Sequence, residues 1–141
     1  MQDIQTIVKS VLQLPETVVI LLGVNDLLSP HDLCTVWQDY VSLVRHLVRR
    51  VARVYVCPLI PVANSRKRLL YLNDVNRFNF FVNNLKSKSS VSIIFFDPIF
   101  LVDSEINIAL YCPRVKKRPD FIHPNSNGLR LMHKLIQNCI V

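Results

Sequence analysis

Glycine is almost absent from this chain of 141 residues: only Gly23 and Gly128 occur. That scarcity excludes a glycine-rich phosphate cradle, which needs several residues without a Cβ in close succession. Cysteine is sparse too. Cys34, Cys57, Cys112 and Cys139 lie far apart and form no Cys-x-x-Cys pair, so neither a metal cluster nor a dithiol redox motif is expected, and buried free thiols are. Long apolar runs are missing, which leaves no candidate membrane span. Met1 to Ser10 mixes polar and apolar residues without the apolar segment of a signal peptide, so a cytoplasmic location is expected. Internal repeats and low-complexity segments are also lacking.

What is present suffices for one domain. Half of the residues are apolar, enough to build a sizeable core at this length, and residues 1–141 are expected to form a single domain. The formal charge is +7, with basic residues clustered at Arg45, Arg49, Arg50 and Arg53, at Arg66, Lys67 and Arg68, and at Arg114, Lys116, Lys117 and Arg118. Such clusters attract phosphate backbones, although basic residues on a helix face are often no more than solvated.

Helices and strands alternate along the chain. Ile4, Ile7, Val8, Val11 and Leu12 recur at helical spacing, which predicts a helix over Asp3 to Gln13 closed off before Pro15. Thr17 to Leu22 is an unbroken, β-branched apolar run that reads as a fully buried strand of a parallel sheet. Asp32 is a plausible N-cap for a long helix carrying Val36, Trp37, Tyr40, Val44 and Leu47 on one stripe. A short strand over Val54 to Cys57 and a polar, basic loop through Lys67 follow. Next comes a helix over Leu69 to Lys86 that offers Leu72, Val75, Phe78, Val82 and Leu85 to the core, then a strand over Val91 to Phe96. Ile99 to Pro119 shows no period, and a connection of that length is usually functional or mobile. A last helix, capped by Asn125 or Ser126, buries Leu129, Met132, Leu135, Ile136 and Cys139. This order predicts an α/β fold, a parallel sheet with helices on both faces.

Two polar stretches stand at informative places. Gly23-Val24-Asn25-Asp26 follows the first strand, where Gly23 can turn without a Cβ clash and the amide of Asn25 sits just past the strand's C-terminal end, the usual ligand side of such sheets. Asp120-Phe121-Ile122-His123-Pro124 precedes the last helix, with Gly128 five residues after the histidine. Together and in this order they resemble the third and fifth sequence blocks of the SGNH, or GDSL-type, hydrolases, and the resemblance covers nearly the whole chain.

The resemblance implies a flavodoxin-like, three-layer α/β/α fold, incomplete here, with three strands and four helices recognisable. It implies an esterase-type site in which His123 is the general base, Asp120 orients and charges against its ring, Asn25 and Gly23 belong to the oxyanion hole and Asp26 braces the turn. Such chemistry acts on small ester substrates and needs no metal and no organic cofactor. The family's first block, a Gly-Asp-Ser that carries the nucleophile, and the glycine of its second block are both absent from these residues. No nucleophile can therefore be assigned, and since losing even one oxyanion donor costs about 3 to 4 kcal/mol of transition-state stabilisation, the chain alone is expected to be inert as an esterase.

Two expectations follow from the resemblance. In one, the chain is the C-terminal part of a longer hydrolase and lacks its N-terminal strands. The strand from Thr17 would then be an uncharged edge, prone to self-association. In the other, the fold has lost catalysis and binds RNA or protein; the family's OSK domain, which lacks the catalytic serine and binds RNA, is the precedent. Arg114, Lys116, Lys117 and Arg118 are the candidate nucleic-acid contacts. SGNH-like domains also occur in retroelement polyproteins, which the Asn73 to Asn79 helix with its basic surroundings resembles.

Overall fold

A computed structural model describes residues 2–10, 13–88 and 90–140. They fall into two compact units. The first comprises residues 1–59 and 73–93, and the second residues 60–72 and 94–141.

The first unit is built on a three-stranded parallel sheet, ordered β1 (Thr17–Ile20), β2 (Arg53–Val56) and β3 (Val91–Ile93). Val18 pairs with Val54 and Val54 with Val91, so the ladder runs in register through its apolar centre. Parallel neighbours need a long crossover, and helices supply both: α3 (Leu33–Arg50) between β1 and β2, and α4 (Ser65–Lys88) between β2 and β3. Helix α1 (Gln2–Ser10) precedes the sheet. Its predicted extension reached Gln13, but Val11 and Leu12 lie outside the described residues and Gln13 is not helical.

Three strand expectations change, the smallest at β2, which begins and ends one residue before the expected Val54 to Cys57. The ladder of β1 stops at Ile20 rather than Leu22, and only Ile20 of its residues is buried. The reason is position: β1 pairs with β2 alone, and among the described residues no strand takes its other side. β3 likewise ends at Ile93, short of the apolar run to Phe96.

Helix α3 begins as its sequence implies. The Asp32 carboxylate accepts the amide of Cys34 at 3.2 Å and the hydroxyl of Thr35 at 2.8 Å, satisfying groups that the first turn leaves without a partner. Val36, Tyr40, Leu43, Val44 and Leu47 form its buried stripe. Trp37 and Tyr40 stack at 5.7 Å, and Phe78 of α4 meets the Tyr40 ring edge-on at 5.1 Å. Helix α4 starts four residues earlier than its apolar pattern suggests, at Ser65. The side chain of Asn64 accepts the Lys67 amide at 3.0 Å, so the Arg66-Lys67-Arg68 run is the opening turn of a helix and not a loop. Leu72, expected in the core, is exposed, whereas Val75, Phe78, Val82 and Leu85 are buried.

The second unit holds the stretch without a period. It is made of short pieces: α5 (Asp97–Phe100), a two-stranded hairpin of β4 (Leu101–Val102) and β5 (Glu105–Ile106), a 3-10 turn at Ile108–Leu110, and a second hairpin of β6 (Arg114–Val115) and β7 (Arg118–Pro119). Helix α6 (Ser126–Ile140) closes it. Phe100 packs on Tyr111 with centroids 5.3 Å apart, and the Tyr111 hydroxyl donates to the carbonyl of Pro61. Gly128 fits here because a Cβ would lie 2.6 Å from the Leu110 carbonyl and 2.9 Å from Pro124. The buried face of α6 is narrower than predicted: Met132 is buried, but Leu129 and Cys139 are exposed. Cys34 is exposed as well, so of the four free thiols only Cys57 is fully buried.

Candidate functional site

The segment Tyr111 to Asn125 turns back on itself and sets Asp120 beside His123. Cys112 bonds across the fold-back to two residues: its carbonyl accepts the Phe121 amide at 2.8 Å and its amide donates to the His123 carbonyl at 2.9 Å. Phe121 takes a left-handed backbone with φ 52°. That curl lets one carboxylate reach several donors. One Asp120 oxygen accepts the amides of Ile122 at 3.2 Å and His123 at 2.9 Å, and the other faces His123 Nδ1 at 3.0 Å.

Burial of Asp120 works against its charge, but the amide and ring of His123 and the amide of Ile122 outweigh it and hold the carboxyl below its ordinary range. The Asp120 side chain is 8% exposed and that of His123 45%. A carboxylate only accepts, so Nδ1 carries the proton and Nε2 is left as the basic nitrogen on a half-exposed ring. The pair has the form of a base with its orienting carboxylate.

Gly23 and Asn25 belong to the other unit, at the end of β1. Gly23 sits at φ 112° and ψ −13°, a left-handed conformation that suits glycine, and its carbonyl accepts the Leu27 amide at 2.9 Å. The expected open turn is a single helical turn, α2 (Val24–Leu27), because the chain after Gly23 closes two successive helical bonds, Leu27 to Gly23 and Leu28 to Val24. Asn25 is exposed on it, Asp26 is half-buried, and the Asn25 carbonyl accepts the Ser29 hydroxyl at 2.9 Å. The structure thus joins Asp120 to His123 within the second unit and Gly23 to Asn25 within the first.

Arg114, Lys116, Lys117 and Arg118 all lie on the exposed β6–β7 hairpin, whose turn residues Lys116 and Lys117 take positive φ of 51° and 65°. Asn64 ties the start of α4 to the same region: its side chain donates to the Asp120 carbonyl at 2.8 Å and its amide to that of Phe121 at 2.9 Å. Between these segments of the second unit opens a cleft of about 790 Å³, whose lining includes the cations Arg66, Lys67 and Arg118 and the apolar residues Ile108, Pro119 and Phe121.

A second histidine–carboxylate pair had no signal in the sequence beyond residue type. His31, just before α3, has a side chain only 6% exposed and points Nε2 at Asp74 of α4, 2.9 Å away. Its Nδ1 lies 2.7 Å from the Ser29 carbonyl. Asn79 was also missed; its side chain brackets the backbone of Leu59, accepting the amide at 2.8 Å. Among the described residues no group of histidine, cysteine, aspartate and glutamate could hold a metal ion, and no helix is long and apolar enough to cross a membrane.

Against known proteins, the family model of the OSK domain matches residues 1–119. No curated protein matches the chain. Among solved structures, the OSK domain of Drosophila Oskar superposes with a TM-score of 0.72 at 18% identity, covering 91% of this chain and 64% of its own. The C-terminal domain of Drosophila Oskar gives 0.71 at 15% identity with the same coverage. A GDSL-like lipase from Bacteroides thetaiotaomicron gives 0.69 at 18% identity, covering 89% of this chain and 62% of the lipase. The α/β fold is therefore shared with both kinds of protein, and the chain spans less than two thirds of the length of each.

Proposed function

Because the chain belongs to the OSK domain family, we propose that it is a non-catalytic RNA-binding domain on an SGNH-type fold. The observation that carries this reading is where the charge sits. The second unit holds nine basic and four acidic residues, a surplus of five, whereas the first holds eight and six, a surplus of two. The smaller unit therefore carries most of the net positive charge, and it is the one with the exposed β6–β7 hairpin and the cleft that Arg66, Lys67 and Arg118 help to line. Exposed arginine and lysine held on a short hairpin neutralise phosphates and release their counterions. The His123–Asp120 pair is the remnant of a hydrolytic site: without a Gly-Asp-Ser in these residues it has no assigned hydroxyl to activate.

The reading is tested by anisotropy of an end-labelled RNA against salt. Binding should weaken steeply as salt rises, and changing Arg114, Lys116, Lys117 and Arg118 to glutamine should reduce the slope of log K against log salt by about 2 to 3, near 0.7 for each phosphate no longer neutralised. A slope that does not move on neutralisation refutes it. Turnover of p-nitrophenyl acetate should stay at background, and stoichiometric labelling by a fluorophosphonate would restore the esterase.

A further inference from the structure

The cleft of the second unit is more than a charged surface, because its lining is of two kinds. Arg66, Lys67 and Arg118 line it together with Ile108, Pro119 and Phe121. A duplex buries its bases and offers a protein mostly phosphates and sugar hydroxyls, which an exposed cationic hairpin can meet without a concave apolar wall. An unstacked nucleotide offers both an anion and a π-face. The ring of Phe121, with Pro119 and the exposed side chain of Ile108 also in the lining, supplies what the base needs, and the three cations supply what the phosphate needs.

The amide that could compete for base recognition is already committed. Asn64 spends its side chain on the Asp120 carbonyl and on the Lys67 amide, so apart from the hydroxyl of Ser65 the lining offers a nucleotide chiefly stacking and charge, both tolerant of sequence. Lys67 also lies over the Tyr71 ring, 5.6 Å from its centroid, which steadies one cation of the lining. Resting on the RNA-binding reading, we infer that this cleft seats one unstacked nucleotide of single-stranded RNA, with its base against Phe121 and its phosphate at Arg66, Lys67 and Arg118.

The test compares an end-labelled oligouridylate with a duplex RNA of equal length, on the unaltered chain and on Phe121→Ala and Ile108→Ala. The single strand should bind at least about tenfold more tightly than the duplex, and Phe121→Ala should lose about tenfold of that affinity, the loss of one base stack. Photocrosslinking of a 4-thiouridine oligomer, followed by peptide mapping, should place the adduct at Phe121 and remains readable should the alanine variant fold poorly. Equal binding of the two probes, with adducts away from the cleft, overturns the inference while the RNA-binding reading stands. Failure of both probes to bind in a salt-dependent way overturns that reading and the inference with it.

Discussion

The chain contains the same chemical pair twice, a histidine ring on an aspartate, and the two surroundings give them opposite characters. His31 is buried in the first unit with both ring nitrogens against oxygen acceptors, the Asp74 carboxylate and the Ser29 carbonyl. His123 in the second unit is 45% exposed and gives Nδ1 alone to its carboxylate. The first ring therefore has no nitrogen to spare for a base, whereas the second keeps Nε2. A histidine beside an acid is thus a fastener in one place and keeps the form of a base in the other, and what decides is the count of acceptors around the ring.

The comparison breaks most visibly at His31. Removing this ring takes a buried partner from the Ser29 carbonyl and from Asp74, itself 36% exposed, and empties the space of a buried side chain, at a cost of about 2 kcal/mol. His31→Ala should lower the melting temperature by roughly 8 °C in a chain of this size, read by calorimetry or circular dichroism. A loss below about 0.5 kcal/mol would mean that the pair fastens nothing.

The reason the second pair was legible in the sequence and the first was not is distance along the chain. Asp120 and His123 stand three residues apart, so one turn can join them, and the segment's curl at Phe121 does so. His31 and Asp74 are 43 residues apart and meet only through the packing of α4 beside the start of α3. The same division runs through the fold. The stripe of α3 and its Asp32 cap are local signals and came through. Strand ends did not, because an apolar run continues past the last ladder bond at both Ile20 and Ile93. The start of α4 was hidden because three consecutive basic residues look like a loop until Asn64 is seen capping them. The cleft needed three separated segments, residues 63–67, Ile108 and residues 118–121, and its basic lining could be read only as clusters.

The Asp120 pair should report on pH. Its carboxyl is held below the ordinary range in the fold, so its contribution to stability is fully present above the unfolded value of about 3.9 and is lost as pH falls through the lower folded value. Asp120→Asn keeps one acceptor for the two amides and gives up the charge, at a cost of about 1 to 2 kcal/mol at neutral pH. Denaturant melts of the two proteins should differ near pH 7 and converge in strong acid. A gap that is constant with pH would show that the hydrogen bonds matter and the charge does not.

The smallest effect belongs to His123 itself. Half of the ring is in solvent, and a glutamine amide can still donate to the buried Asp120 carboxylate, so His123→Gln should change stability by less than about 1 kcal/mol. Its amide still donates to Asp120, since that bond is made by the backbone. Reactivity then separates the two rings where stability cannot. Diethyl pyrocarbonate acylates an unprotonated, accessible imidazole nitrogen; peptide mapping should find His123 modified while the protein is folded and His31 modified only after unfolding. Equal rates at the two positions would mean that burial and the second acceptor do not close His31 off, and the distinction between fastener and base would fall with them.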